Sequence, residues 1–226
     1  MSNLQIILWV TSQCNRHCPL CSQRAAMEEC PNYNLPLEEL KTFIESSLRR
    51  GIHYVCIEFQ GGEPTMWPHF REGMKILHES EVSDRLTFIT NGDNAEEVSQ
   101  VAKLYAPIYG VSASSKASAE QIQIHCECNP GVYVVDHPHK RFPKDPIPNT
   151  RPGPCCCIKT YYGLNVLSLA YYNQRIYHCG NARTLGAQHL SIPFESDFIA
   201  HFENEPRDQE ICGRCLCNAN VWNSVK

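Results

Sequence analysis

Cys14-Asn15-Arg16-His17-Cys18-Pro19-Leu20-Cys21 places three thiols within eight residues. Thiolates select soft metals, and three of them are one short of the four that close a cubane iron–sulfur cluster. A cluster on three thiolates leaves one iron open to another ligand, and an open coordination position is where metal chemistry takes place. The competing use of these residues is a zinc site completed by His17 or Cys30. Structural zinc sites favour paired CxxC units, however, and only Cys18 and Cys21 have that spacing here.

The apolar run Ile6-Ile7-Leu8-Trp9-Val10 immediately precedes the thiols and reads as a buried strand, near Leu4–Val10. The thiols then sit on the loop leaving its C-terminal end, the end at which α/β barrels collect reactive groups. A helix is expected to follow. Pro36 and Glu38-Glu39 suit its first turn, Leu37, Leu40, Phe43, Ile44 and Leu48 form its apolar face, and Arg49-Arg50-Gly51 closes it. A second strand, Tyr54–Phe59, runs into Gly61-Gly62-Glu63-Pro64, which falls on the same rim as the thiols. Phe70, Gly73, Met74 and Leu77 stripe a second helix. Arg85–Thr90 is a third strand ending at Asn91-Gly92. Asp93, with Glu96 three residues on, has the form of a capping box for a third helix striped by Val98, Val101, Ala102 and Tyr105. Ile108–Ala113 is a fourth strand with Ser112, Ser114 and Ser115 at its exit, and weaker strand signals lie at 122–126 and 132–135. This alternation predicts a parallel sheet with right-handed crossovers.

The chain of 226 residues suits one large domain or one domain with a small appendage. Its 42% hydrophobic content supports a sizeable core, and a formal charge of −4 gives no electrostatic reason to expect nucleic acid or an anionic membrane. No apolar run approaches a membrane span, and Met1-Ser2-Asn3-Leu4 lacks the basic start of a signal peptide, so the expected location is the cytoplasm. Fourteen cysteines in a reducing compartment point to metal rather than disulfides. Besides 14–21 they cluster at 155–157, at 179 and at 212–217.

The thiol loop Cys14–Cys21 and the Gly61-Gly62-Glu63-Pro64 segment together resemble the radical S-adenosylmethionine (SAM) superfamily. The resemblance covers roughly the first half of the chain and implies a partial, shortened (β/α) barrel of parallel strands. It implies that Cys14, Cys18 and Cys21 hold a [4Fe-4S] cluster whose open iron is chelated by the amino and carboxylate groups of SAM. Backbone groups of Gly61, Gly62 and Glu63 would then bind the SAM amino group. Leu20 takes the position that is often aromatic in the family and touches the adenine. Asn91, Ser112 and Ser114, at strand exits, are candidates for further SAM contacts, although Asn-Gly and serine runs also serve as turn chemistry.

The tail differs in character. Residues 130–154 hold seven of the 15 prolines and read as a linker or an ordered wrap. Leu164–Tyr172 and Arg175–Cys179, joined by Asn173-Gln174, read as a hairpin, followed by a short helix with Phe198, Ile199 and Phe202. From Asn173 to Ala182, at Leu185-Gly186 and at Cys212-Gly213-Arg214-Cys215 the tail resembles the SPASM/twitch extension of the same superfamily, a hairpin and helix that binds auxiliary clusters. Two domains are expected, the barrel over 1–129 and a small cysteine-rich hairpin-helix domain over 155–226, joined by the Pro-rich linker or wrap over 130–154. The resemblance implies an auxiliary [4Fe-4S] cluster on Cys157 (or Cys155 or Cys156), Cys179, Cys212 and Cys215. A zinc ribbon is the alternative for these four. Asn-Gln replaces the usual Asp-Gly at the hairpin turn, Cys217 follows Cys215 too closely for the SPASM spacing, and no cysteine follows it, so a one-cluster twitch-like domain fits better than a two-cluster one. Cys30, Cys126 and Cys128 are unassigned, and Cys56 is expected in the core.

By this resemblance the chain is an oxidoreductase-type, metal-binding enzyme. A flavodoxin- or ferredoxin-type reductant supplies an electron, SAM is cleaved to methionine and a 5′-deoxyadenosyl radical, and the radical takes hydrogen from an unactivated carbon. The strand that starts at once mildly favours a small-molecule or nucleotide substrate. A maturase acting on a peptide or other polymer is the alternative, and a non-catalytic zinc or iron–sulfur interaction module is the alternative of another class. His137 and His139, with Lys140 and Arg141, read as a solvated polar loop, and Tyr161-Tyr162 and Tyr171-Tyr172 as packing.

Overall fold

The computed structural model describes residues 3–16, 32–105, 111–113, 133–134, 158–161, 164–178, 180 and 187–203. Five parallel strands follow one another across the sheet: β1 (Asn3–Thr11), β2 (Cys56–Gly61), β3 (Leu86–Thr90), β4 (Val111–Ala113) and β5 (Tyr133–Val134). Helices α1 (Leu37–Arg49), α2 (Phe70–Ser80) and α3 (Ala95–Tyr105) alternate with the first four strands. The chain is therefore mixed α/β with a mostly parallel sheet, as the strand–helix rhythm predicts.

Alternation along β1 explains how the layers are built. Leu4, Ile6, Leu8 and Val10 join one core cluster with Leu40, Phe43 and Ile44 of α1 and Phe70, Met74 and Leu77 of α2. Ile7, one step out of phase, packs instead with Ala170 and Tyr177. The first helix departs from expectation at one position. Leu48 is 51% exposed, and the buried turn is completed by Ser47, whose hydroxyl donates to the Phe43 carbonyl and lies 3.1 Å from the Tyr54 hydroxyl. Cys56 is fully buried as expected, and that burial pushes its thiol up to about 12.

The hairpin is present, but its placement was not legible. β7 (Leu164–Tyr172) pairs in parallel with β1, from Asn3↔Val166 to Leu8↔Tyr171, on the side of β1 opposite β2. Its other edge is shared by β6 (Ile158–Tyr161) and β8 (Arg175–Tyr177), both antiparallel, and β8 pairs with β9 (Ile192–Pro193). The hairpin and the βα units thus share one nine-stranded sheet. Tyr171 is packing, with its ring 5.0 Å from Phe43 and 5.4 Å from Phe194. The last described helix, α4 (Phe198–Glu203), buries Phe198 and Phe202 in the main core.

Arg50 fastens the tail to α1. Its guanidinium donates to the Phe194 carbonyl at 2.6 Å and to the Ser196 carbonyl at 2.7 Å, and it lies over the rings of Phe194 and Phe198. Charged hydrogen bonds of this kind contribute roughly 1.5–3 kcal/mol. Arg50→Ala is expected to cost about 2 kcal/mol and to lower Tm by about 4–8 °C in calorimetry. The hairpin turn offers the opposite change. Asn173 and Gln174 both have positive φ, 49° and 58°, the backbone of a type I′ turn. Glutamine carries a Cβ penalty there, so Gln174→Gly is expected to raise Tm by about 1–4 °C in the same measurement.

Candidate functional site

The exits of β1, β2 and β3 lie side by side on one rim, and hydrogen bonds fix their order. Gly62 N–H donates to the Thr11 carbonyl at 2.6 Å and Glu63 N–H to the Gln13 carbonyl at 2.8 Å. The β1–β2 register shifts between Trp9 and Thr11, so that Thr11 faces Gly61. Such a bulge re-aims the chain at a rim. The approach demands glycine. At Gly61, φ is +144° and a Cβ would lie 2.1 Å from the Thr11 carbonyl oxygen. At Gly62 it would lie 1.9 Å from that of Gln13. Both obstacles are backbone and cannot swing away. The glycines are thus required by the thiol loop's own base, besides any role toward a ligand.

The segment that carries the thiols is closed where it leaves the sheet. Thr11 forms a bridge with Asn34, and its hydroxyl donates to Asn34 Oδ1 at 2.6 Å. Ser12 exchanges bonds with Tyr33, and Leu35 N–H donates to the Val10 carbonyl at 2.8 Å. Trp67 Nε1 then holds the Leu35 carbonyl at 2.9 Å. Residues 10–12 and 33–35 are therefore bonded side by side at one point of the rim.

Glu63 joins the second exit to the third. Its carboxylate is only 2% exposed and accepts from Thr65 N–H (3.2 Å), Thr65 Oγ1 (2.9 Å), Thr90 Oγ1 (2.7 Å) and Asn91 N–H (2.6 Å). Above it, Asn91 Nδ2 donates to Asn15 Oδ1 at 2.7 Å, and Asp93 N–H donates to Asn91 Oδ1 at 2.9 Å. Asp93 in turn accepts from Asn15 Nδ2 at 2.9 Å, from Arg16 Nε at 2.9 Å and from Arg16 Nη2. The Arg16 guanidinium holds the Asp93 carboxyl below the usual carboxylate range, against a smaller opposing effect of burial. The stabilisation is accordingly present at neutral pH and is lost as pH falls through the folded value, below about 3.9.

Of the sequence candidates, this rim brings together Cys14, Gly61, Gly62, Glu63 and Asn91. Cys14 is half-buried, and its sulfur accepts Arg16 N–H at 3.5 Å. Ser112 lies on β4 opposite Ile89 of β3. Cys18, Leu20, Cys21, Ser114, Cys157, Cys179, Cys212 and Cys215 lie outside the described residues, as do Cys30, Cys126, Cys128, Cys155, Cys156, Cys217, His137 and His139. One reading is corrected. Asp93 does not cap α3; Asn94 precedes the helix and accepts Glu97 N–H at 3.4 Å, which leaves Asp93 to face the thiol loop. Thr90, Asp93, Asn15 and Arg16 were missed as rim residues. An acidic residue just before a helix reads locally as a cap, and no spacing rule ties it to an arginine 77 positions earlier.

The model of the radical SAM superfamily matches residues 10–132, and the chain belongs to that superfamily. The match spans the three exits just described, and the protein is a radical SAM enzyme. Among solved structures the chain is similar to BtrN in complex with AdoMet and 2-DOIA, with TM-score 0.61 and 16% identity over 96% of this chain and 89% of that one. It is similar to selenomethionine BtrN in an open conformation, with TM-score 0.56 and 16% identity over 100% of this chain and 90% of that one. Streptococcus suis SuiB bound to S-adenosylmethionine aligns with TM-score 0.41 and 17% identity over 50% of this chain and 26% of that one. Comparison with curated protein sequences returns no match. No described helix is long and apolar enough to cross a membrane.

Cys14 suits the cluster that the family implies. Cys14 stands at the rim with a backbone N–H on its sulfur, the kind of bond that tunes iron–sulfur centres. In Glu63→Gln an amide NH2 can face Asn91 N–H, or else turn toward three donors. Either arrangement leaves a buried donor unpaired, at a cost of about 2–3 kcal/mol. The expected readout is a Tm lower by about 4–10 °C, with slower loading of iron on reconstitution.

Proposed function

We propose that this chain uses a [4Fe-4S] cluster on Cys14, Cys18 and Cys21 to generate a 5′-deoxyadenosyl radical that removes hydrogen from a small-molecule or nucleotide-type substrate. The observation that carries this reading is the rim itself, where Cys14 stands beside Gly61–Gly62 at the exits of β1 and β2, within the span of the family match. When bound, the cluster supplies one electron that splits SAM into methionine and the radical. The chain's own residues do the rest. Gly62 and Glu63 already spend their N–H groups on the β1 exit, and the Glu63 carbonyl accepts Met66 N–H, so the backbone acceptors proposed for the SAM amino group are the carbonyls of Gly61 and Gly62. Leu20, Asn91, Ser112 and Ser114 are proposed as further SAM contacts. Bonds between residues 10–12 and 33–35 hold together the two ends of the segment that carries the thiols.

A second cluster is proposed on Cys157, Cys179, Cys212 and Cys215 in a twitch-like tail spanning 155–226. Four thiolates leave no open iron, so that site suits electron transfer. Flavodoxin or ferredoxin is the proposed reductant, and the cytoplasm the proposed location. A small-molecule substrate is supported by the fold shared with BtrN, which was solved with AdoMet and 2-DOIA and has nearly the same extent as this chain.

Anaerobic reconstitution with iron and sulfide, followed by dithionite and SAM, is expected to yield 5′-deoxyadenosine. Zinc uptake in place of iron, or no 5′-deoxyadenosine, would overturn the reading. Replacing Cys14, Cys18 and Cys21 together by alanine is expected to abolish that product and to keep about half of the iron and its absorbance. Iron at background in this variant would remove the second cluster.

A further inference from the structure

We propose that Asp93 is a positioning residue for the thiol loop. It holds Asn15 and Arg16, the two residues after the first thiol. The inference rests on the radical SAM reading of that loop and deepens it.

Both Asp93 oxygens are engaged by the loop. Arg16 reaches them through Nε and Nη2, a two-pronged pairing that fixes the plane of the guanidinium, and Asn15 Nδ2 adds a third bond. Asn15 is held at both ends of its amide, because its oxygen accepts from Asn91. Asn91 completes the ring by accepting Asp93 N–H, and its own N–H rests on the buried Glu63. A continuous path of bonds therefore runs from the packed sheet to the thiol. It passes from Glu63 to Asn91, to Asp93, to Arg16, and from the Arg16 N–H to the Cys14 sulfur. Removing Asp93 takes away three bonds that Asn15 and Arg16 make to this rim, on the residues that flank the Arg16 N–H.

The test has a metal-free arm and a loaded arm. In the metal-free chain, Asp93→Ala is expected to raise hydrogen exchange at residues 13–16 about tenfold, and to leave residues 56–59 in β2 unchanged. In the reconstituted chain, the same variant is expected to lose iron to a chelator about tenfold faster. Its cluster potential is expected to become more negative, since an N–H on a thiolate sulfur favours the reduced state. Asp93→Asn, which keeps the shape and one acceptor for Asn15, guards against a simple folding defect and is expected to fall between. The reversed pair Arg16→Asp with Asp93→Arg is expected to recover most of the iron retention. Arg71→Ala, which breaks the exposed Arg71–Glu97 pair between α2 and α3, is expected to match the parent. Unchanged exchange in Asp93→Ala overturns the inference with no reference to the cluster. Changed exchange with iron loss and potential equal to the parent, or no recovery in the reversed pair, overturns the positioning role and leaves the radical SAM reading intact. A parent chain that takes up no iron overturns both.

Discussion

A carboxylate taken out of water has to be met by donors, and Glu63 meets four of them. Ionised groups are costly to bury, and the cost is offset only when the lone pairs are filled. The donors that fill them come from the 3-10 turn that follows Glu63 and from the end of β3, so satisfying one side chain fixes two strand exits with respect to each other. The glycines just before it bring the third exit in, since only a residue without Cβ permits the Thr11 and Gln13 carbonyls to come so close. A local electrostatic requirement and a local steric one thus converge on the same few residues, and together they give the rim its shape.

That convergence changes what the Gly-Gly-Glu-Pro segment means. Read as a motif, it is a ligand-facing element. In the fold it is first a joint between strands, with its N–H groups committed to β1 and its carboxylate committed to β3. The two roles are compatible because they use different atoms. The scaffold role takes the N–H groups of Gly62 and Glu63, the Glu63 side chain and, through Met66 N–H, the Glu63 carbonyl; the proposed ligand role falls to the glycine carbonyls.

Much of the architecture was legible because periodicity carries it. The apolar runs of β1 and β2 and the stripe at Phe70, Gly73, Met74 and Leu77 each report which way one element faces, and burial agrees at each of these helix positions. That Cys14 and the glycines share a rim was legible because each follows an apolar strand run. Three things were hidden. The pairing of β7 with β1 joins segments far apart in sequence, and nothing in either strand names its partner. Leu48 continues the helical stripe but is left exposed, since Ser47 and Tyr54 close that end of α1 with a polar contact. Asp93 and Asn94 are adjacent and both suit a helix start; Asn94 takes the cap while Asp93 is bonded to the distant Asn15 and Arg16, which no local pattern reports.

The parallel pairing of β7 with β1 bears on how the chain reaches this state. Asn3 finds Val166 only after the intervening chain has been made, whereas β2, β3 and their helices assemble from nearer neighbours. Contacts of such long separation form slowly, because the loop must be closed before the pairing rewards it. Until then β1, the strand that delivers the first thiol, keeps one edge of N–H and C=O groups open beside an apolar face. That is the state in which a sheet recruits a foreign strand. The hairpin of β7 and β8 is therefore the cover that ends this exposure. Conditions that delay its arrival tax the solubility of the nascent protein before they touch its chemistry.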